Sequence, residues 1–207
     1  MPIIKKGVIE ENIQFAIWEI LETEEELISE LGSGITDEEP LNTIKVDARR
    51  LESLAARCAL KNLLEPLGDF EIYKDKFGKP HLKGESIGLS ISHAKGFAAA
   101  AININGTVGI DIEHEREQIL KIAHKFIHSS ERKWANEDIK RLTQVWSAKE
   151  ALYKLHGRTQ LLFAEQLITR NLDEAMGEGR IVEKKEGVSI YKLIQPQDCP
   201  LTTVIAY

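Results

Sequence analysis

Cysteine is scarce in this chain of 207 residues, which contains only Cys58 and Cys199. Two cysteines so far apart form neither a disulfide framework nor a C-x-x-C metal pair, so we expect a reducing, cytoplasmic environment. An excess of basic residues is lacking as well, because 27 lysines and arginines face 33 acids and the formal net charge is -6. Chains dominated by nucleic-acid contacts are normally basic, and we therefore expect no nucleic-acid partner.

Long apolar runs are also absent. The least charged stretch, residues 88–110, is interrupted by His93 and Lys95, which excludes a membrane-spanning helix there. The N-terminus has no apolar region followed by a small-residue cleavage site, so no secretion signal is expected. With 43% hydrophobic and 29% charged residues, the composition is that of an ordinary soluble protein, and we expect no membrane contact.

Helices are predicted where apolar residues recur every three to four positions. The first long helix covers 47–64, and the second covers 142–156 and is followed by Gly157, a residue type common directly after a helix. Shorter helices are predicted in three further segments: 22–31, 119–127 and 130–136.

Strands are predicted where apolar and polar residues alternate, or where β-branched residues cluster: 3–17, 70–73, 87–93, 97–104, 107–113 and 181–207. Asn105 and Gly106 are typical of a tight hairpin turn between two of these strands. We therefore predict a three-stranded meander over residues 87–113.

Both halves of the chain run from a long helix into strands. This order predicts an α+β fold of two similar lobes, a pseudo-duplication in which each lobe packs a helix on a small antiparallel sheet. The predicted domains are residues 1–105 and 106–207. Sequence identity between the halves is too weak to prove a duplication.

Two acids in the predicted strand Gly109–Glu113 can act together. Alternate side chains of a strand share a face, so Asp111 and Glu113 lie on one face while Val108, Ile110 and Ile112 face a core. Carboxylates at this spacing can converge on one hard cation. The alternative is a half-exposed strand with two solvated acids.

The second long helix contains the segment 146–154, with the sequence WSAKEALYK. Ala148, Ala151, Leu152 and Leu155 form an apolar stripe, which leaves three polar side chains on a different face: Ser147, Glu150 and Lys154. Ordinary structural roles also fit these residues. Ser147 with Glu150 matches a capping box, and Glu150 with Lys154 matches a surface ion pair.

The remaining polar candidates fit equally ordinary roles when taken singly. His93 fits a hydrogen-bonded packing residue, Lys79 and Pro80 fit a turn, and Arg50 with its neighbour Arg49 fits a solvated pair. His124 and His128 have the spacing of a helical zinc site. A third ligand and an H-E-x-x-H pattern are missing, so we do not favour zinc.

The ordered series of these motifs resembles the 4′-phosphopantetheinyl transferase superfamily. The series comprises GKP at 78–80, ISH at 91–93, VGIDIE at 108–113 and WSAKEALYK at 146–154. It is similar to the monomeric, two-lobed type that activates surfactin synthetase and other peptide and polyketide synthetases. The resemblance implies that the active site lies in the cleft between two lobes.

The resemblance also implies a reaction. A holo-[acyl-carrier-protein] synthase of this family transfers 4′-phosphopantetheine from coenzyme A to a serine of an apo acyl or peptidyl carrier protein, and releases adenosine 3′,5′-bisphosphate. Asp111, Glu113 and Glu150 match the ligands of Mg²⁺, and Glu150 and Lys154 match the catalytic residues. Whether Glu150 acts as a base or chiefly as a metal ligand stays open.

Five residues match family positions that contact the coenzyme A substrate: Arg50, Lys79, Pro80, Ser92 and His93. Arg49 replaces Arg50 if the alignment shifts by one residue. Relatives commonly carry basic residues for the 3′-phosphate before the first long helix, whereas residues 34–39 are acidic and only Lys45 is nearby. The preference between coenzyme A and its dephospho form is therefore open.

Carrier proteins of this kind are acidic, which calls for a basic docking surface. The second half contains one basic cluster, which we name the basic surface: Lys121, His124, Lys125, His128, Arg132 and Lys133. A solvated helix face is the alternative.

Two alternatives to an enzyme compete for the chain as a whole, namely a non-catalytic module that binds coenzyme A and an unrelated α+β scaffold with surface acids.

Overall fold

The computed structural model describes residues 2–32, 35–37, 46–65, 68, 70–158, 160–183 and 185–207. Contacts between Cα atoms divide the chain into two compact units, Met1–Val108 and Gly109–Tyr207. Each unit packs one long helix on an antiparallel sheet, so the predicted α+β class is confirmed. The division lies a few residues beyond the boundary expected after Asn105.

In the first unit the elements are β1 (Ile3–Ile9), β2 (Ile13–Glu19), α1 (Glu24–Leu31), β3 (Ile35–Asp37), α2 (Asp47–Leu64), β4 (Phe70–Lys74), β5 (Pro80–Leu82), β6 (Gly88–Ala94) and β7 (Phe97–Asn103). The main sheet has the antiparallel order β1-β2-β7-β6, and a small sheet has the order β3-β4-β5. Helix α2 has the predicted bounds and packs on β2, β6 and β7, because its apolar stripe meets the small residues of β7.

In the second unit the elements are β8 (Gly109–Glu113), α3 (Gln118–Phe126), α4 (Arg132–Ala135), α5 (Ile139–His156), α6 (Phe163–Gln166), β9 (Leu167–Arg170), β10 (Met176–Glu183), β11 (Gly187–Ile194) and β12 (Thr202–Ala206). The strands form one antiparallel sheet in the order β8-β12-β11-β10-β9. Helix α5 packs against β8 and β12 and buries the predicted stripe of Ala148, Ala151, Leu152 and Leu155.

The predicted three-stranded meander is wrong in its third strand. β6 and β7 pair as expected, but the other edge of β7 is occupied by β2, and β8 pairs with β12 instead. Asn105 and Gly106 do not have the positive φ angles that a two-residue type I′ hairpin requires. The backbone N–H of Asn105 donates to the side-chain oxygen of Asn103, which stabilises a turn that leaves the sheet.

Two further differences concern the ends of elements. Helix α5 starts at Ile139, earlier than predicted, because the side chain of Asp138 caps it by accepting from the Arg141 N–H. The four-residue strand β9 is not predicted, since so short a segment carries little periodic signal.

Among the described residues, no helix combines the length and the apolar character that a membrane span requires.

Candidate active site

A glycine brings the acidic strand and the long helix of the second unit together. A Cβ atom on Gly109 would lie 1.9 Å from the carbonyl oxygen of Ala151, which is on α5. The two backbones therefore approach more closely than any other residue allows. Because Asp111 and Glu113 share the strand face of Gly109, their side chains lie against α5.

Asp111 is buried between β8 and α5. Its side chain is 5% exposed, and its Oδ1 atom accepts a hydrogen bond of 2.7 Å from Lys154 Nζ. Lys154 also donates to the carbonyl oxygen of Ile110 at 3.1 Å, and Ser147 Oγ donates to that of Asp111 at 3.3 Å. The alternative of two solvated acids is therefore wrong for Asp111. An aspartate so deeply placed needs cationic or hydrogen-bond partners, and Lys154 of α5 supplies one to its Oδ1 atom.

Glu113 is held by the aromatic residue that opens the helix motif. Trp146 Nε1 donates to Glu113 Oε1 at 3.0 Å, and the side chain is partly buried. Burial raises the pKa of Glu113, and the charge of Asp111 raises it further, whereas the Trp146 hydrogen bond opposes the shift. Glu113 is thus oriented by one donor and destabilised as an anion by its neighbour.

Glu150 has the most perturbed carboxyl group of this cluster. Its pKa is raised from 4.5 to about 7, mainly by burial and further by the charges of Asp111 and Glu113, while Lys154 opposes the shift. The three carboxyl groups therefore lie close enough to repel one another. Lys154 offsets only part of this repulsion, so Glu150 exchanges a proton near neutral pH.

The donor atoms of these acids fit a hard divalent cation. Mg²⁺ prefers carboxylate oxygens, and a dication would relieve the repulsion that raises the pKa of Glu150. In the described part of the chain, however, no group of three His, Cys, Asp or Glu side chains is arranged to hold a metal ion. Lys154 and Trp146 engage Asp111 and Glu113. The metal ligands stay a prediction.

The capping-box alternative for the helix motif is wrong. Ser147 lies in the middle of α5 and is fully buried, so it cannot cap the helix with Glu150. Lys154 pairs with Asp111 of β8, a contact that an isolated surface ion pair with Glu150 does not explain. The zinc alternative fails too, because α3 ends at Phe126 and His128 bonds to Ser130 Oγ outside the helix.

In the first unit, two predicted coenzyme A contacts lie against acidic side chains. Arg50, on the first turn of α2, donates to Glu24 at 2.9 Å and to Asp47 at 3.2 Å. His93, on β6, has its Nδ1 atom 3.1 Å from Glu52 Oε2. Arg50 is more buried than Arg49, which is exposed. Both side chains are thus already engaged within their own unit.

The other predicted contacts lie on strands β5 and β6 and on the turn before β5. Asp75 Oδ1 accepts from the backbone N–H of Lys79 at 3.0 Å, which fixes the turn, and β5 begins at Pro80. Burial lowers the pKa of the Lys79 ammonium, against the effect of Asp75. Ser92 is buried on β6. Residues 34 and 38–45 lie outside the described part of the chain. They include Lys45 and half of the acidic segment before α2.

Two residues of the second unit make contacts that the motif series does not predict. One is Trp146, whose hydrogen bond to Glu113 follows only from the packing of α5 on β8. The other is Lys149, which is fully buried and paired with Glu131. A signal for Lys149 exists, because it follows Val145 and precedes Leu152 at helical spacing on a buried stripe.

Sequence comparisons define the family. Residues 107–198 match the 4′-phosphopantetheinyl transferase superfamily, and residues 37–103 match the 4′-phosphopantetheinyl transferase N-terminal domain. The first match contains β8 and α5, and the second contains α2 and the turn before β5. The chain belongs to the 4′-phosphopantetheinyl transferase superfamily.

A curated relative identifies the type more closely. The chain is similar to the 4′-phosphopantetheinyl transferase gsp of Aneurinibacillus migulanus, with 31% identity over 125 residues. The match covers 58% of this chain and 51% of the relative, so it spans about half the length of that protein. The family and the two-lobed type indicated by the motif series are confirmed.

Proposed function

We propose that this protein is a phosphopantetheinyl transferase. It transfers 4′-phosphopantetheine from coenzyme A to a serine of an apo acyl or peptidyl carrier protein and releases adenosine 3′,5′-bisphosphate. One observation supports this most strongly: the packing of α5 on β8 joins Asp111, Glu113, Glu150 and Lys154 in one partly buried cluster. A protein that only bound the nucleotide would not require a base and a cation placed together in this way.

Asp111, Glu113 and Glu150 are the proposed ligands of Mg²⁺, because their oxygens suit a hard cation and their mutual repulsion favours one. When bound, the ion would neutralise charge on the phosphate oxygens, which is the main requirement of phosphoryl transfer. Lys154 and Trp146 donate hydrogen bonds to two of the proposed ligands, Asp111 and Glu113.

Glu150 is the proposed base. Burial and the neighbouring acids raise its pKa, and a bound cation would lower it again. Its proposed role, directly or through a water molecule that it orients, is to accept the proton of the carrier serine hydroxyl. The serine oxygen then attacks the phosphorus next to pantetheine, and the bond to the departing phosphate breaks. Lys154, one helical turn from Glu150, stabilises the negative charge of that leaving group.

The first unit supplies the proposed contacts to coenzyme A. Arg50 and His93 contact its phosphates, and Lys79, Pro80 and Ser92 line the nucleotide pocket. Asp75 fixes the turn that carries Lys79, which supports this assignment, whereas Glu24 and Glu52 already engage Arg50 and His93. Phosphate binding requires Glu24 and Glu52 either to release Arg50 and His93 or to share them with the phosphate.

The basic surface is the proposed docking site of the carrier protein. Lys121, His124 and Lys125 are exposed on α3, and Arg132 and Lys133 are exposed on α4, so most of its charge is available to an acidic partner. The protein works as a monomer in the cytoplasm, where both of its cysteines stay reduced.

The direct test is to incubate the protein with Mg²⁺, a fluorescent coenzyme A and an apo carrier protein. Covalent labelling of the carrier is the expected result. Saturable binding of the fluorescent coenzyme A without labelling would replace the proposal by a non-catalytic binding module. A protein that neither labels the carrier nor binds coenzyme A would be an α+β scaffold without this site.

A further inference from the structure

A fully buried ion pair lies beside the proposed active site but is not part of it. Lys149 Nζ is 2.8 Å from Glu131 Oε2, and the two side chains are 0% and 2% exposed. Lys149 belongs to α5 and directly precedes Glu150. Glu131 directly precedes Arg132, which opens α4 and belongs to the basic surface.

The pair joins four segments of the second unit. Lys149 also donates to the carbonyl oxygens of Phe126, at the end of α3, and of Phe163, at the start of α6, with distances of 2.6 and 3.0 Å. Glu131 accepts from the backbone N–H of His128 at 2.7 Å. It also accepts from the backbone N–H and the hydroxyl of Thr169 on β9, at 2.7 and 2.9 Å.

The same residues connect the network to the acidic cluster. The rings of Phe126 and Phe163 flank Trp146, with centroid distances of 5.2 and 5.5 Å. Trp146 in turn donates to Glu113. The end of α3 is therefore fixed twice against α5, by a carbonyl hydrogen bond to Lys149 and by a ring contact with Trp146.

Stability alone is a weak reason for this arrangement. Removing two charges from water is costly, and replacing a buried ion pair by apolar residues is often neutral or stabilising. Hydrogen bonds from a buried charge do, however, impose direction and distance on the groups that they join. Here those groups are the end of α3 and the start of α4, which carry the exposed cations.

We propose that Lys149 and Glu131 are positioning residues for carrier-protein recognition. Their network holds the basic surface at a fixed distance from Glu150, so that a docked carrier presents its serine to the base. This inference rests on the proposed function. It assigns to the pair an effect on the carrier protein and none on the affinity for coenzyme A.

The test uses the full chain with Lys149→Met and Glu131→Gln combined. The two changes remove both charges together, so no buried charge is left without its partner. We measure kcat and KM for an apo carrier protein, the Kd for coenzyme A by calorimetry, and Tm. The carrier KM is expected to rise between about twofold and thirtyfold, as for other substitutions in coupling networks, while the Kd for coenzyme A stays unchanged. Lys140→Met, which changes an exposed lysine of the same helix, is the matched control and should alter neither constant.

A double-mutant cycle separates positioning from a general loss of packing. In a protein that already carries Lys125→Glu on the basic surface, removal of the buried pair should raise the carrier KM by a smaller factor than in the wild type. Equal factors in the two backgrounds would contradict the proposal. So would a folded variant with an unchanged carrier KM, or one that loses coenzyme A affinity to the same extent.

If the combined variant does not fold, Thr169→Val provides the second test. It removes the hydroxyl that donates to Glu131 and leaves both charges in place, so a smaller rise in carrier KM is expected. An unchanged carrier KM in this folded variant would then overturn the inference. A wild-type protein that transfers nothing would overturn the proposed function together with the inference, whereas an active wild type with unaffected variants would overturn the inference alone.

Discussion

The two units hold their predicted site residues in different ways. In the second unit Asp111 is buried, Glu113 and Glu150 are partly buried, and contacts across β8 and α5 fix them. In the first unit His93 is half exposed, and Arg50 and His93 are paired with acids of their own unit. This difference indicates a division of labour. Under the proposed function, the second unit is organised in advance for catalysis, whereas the first would exchange carboxylate partners for ligand phosphates.

The difference has a physical origin in the packing of each helix. Gly109 lets α5 approach the β8 backbone, so the acids of that strand are enclosed by the helix. Helix α2 packs on β2, β6 and β7, and its first turn is exposed except for Arg50, which is partly buried. Enclosure raises the pKa of carboxyl groups, and exposure lets ion pairs exchange with little cost.

The largest effect is expected for Gly109→Ala. The new Cβ would overlap the backbone carbonyl oxygen of Ala151, and since a Cβ cannot rotate away from its own backbone, β8 and α5 must separate. We expect the free energy of unfolding to fall by about 3 kcal/mol or more, measured by urea denaturation. The control is Gly106→Ala, whose Cβ would meet only the Asn103 side chain at 3.3 Å and should cost about 1 kcal/mol or less. Equal losses would show that the close approach at Gly109 is unimportant.

A smaller effect on stability is expected for Glu150→Gln. The pKa of Glu150 is raised in the folded protein, so the native state binds more protons than the unfolded state between pH 4.5 and about 7, and stability falls as the pH rises through this window. The amide cannot ionise. In EDTA at pH 8 the variant should therefore be more stable than the wild type by on the order of 2 kcal/mol.

Thermal melting as a function of pH measures the difference in stability between the wild type and Glu150→Gln. Glu117→Gln, which changes an exposed acid, is the control. Below pH 4.5 the wild type and Glu150→Gln should have similar stability, because the carboxyl group is then neutral in both states. A difference that does not change with pH would contradict the assigned pKa shift.

The basic surface should affect only the carrier protein. The combined change Lys125→Glu and Arg132→Glu reverses two exposed charges, and we expect the carrier KM to rise about tenfold at low salt. Steady-state kinetics at two salt concentrations measure the effect, which should shrink as salt increases. An equal loss of affinity for coenzyme A would place the charges at the nucleotide site instead.

The smallest effect is expected in the first unit, for Glu52→Gln. This change removes the carboxylate that pairs with the exposed His93, so the imidazole is free to meet a phosphate. Coenzyme A affinity should increase by about 1 kcal/mol or less, as measured by calorimetry, because the His93 side chain is half exposed to solvent. Glu65→Gln, at the exposed end of α2, is the control. Weaker binding by Glu52→Gln would indicate that Glu52 positions His93 for the ligand.

Local pattern predicts much of the fold. The apolar stripe of α2 gives its bounds, and alternation identifies β6, β7 and β8 within a residue or two. The pairing of β8 could not be predicted, since its partner β12 lies at the far end of the chain and the Asn-Gly turn points to the wrong neighbour. Long-range strand pairing leaves no local signal of this kind.

The candidate site is predictable in composition but not in geometry. Strand alternation places Asp111 and Glu113 on one face, and the helix motif adds Glu150 and Lys154. The hydrogen bonds of Lys154 to Asp111 and of Trp146 to Glu113 depend on how α5 crosses β8, which no spacing in the sequence specifies. The buried Lys149 is visible in the sequence only as a lysine on an apolar stripe.

The most direct measurement is intact-mass spectrometry of an apo carrier protein after incubation with coenzyme A, with either Mg²⁺ or EDTA. Wild type is compared with Asp111→Ala, which removes a proposed metal ligand, and with Glu117→Gln as an exposed control. We predict that the carrier gains one phosphopantetheine with wild type and the control only when Mg²⁺ is present, and gains none with folded Asp111→Ala. Transfer in EDTA, or near-normal turnover by Asp111→Ala, would contradict the metal-dependent site.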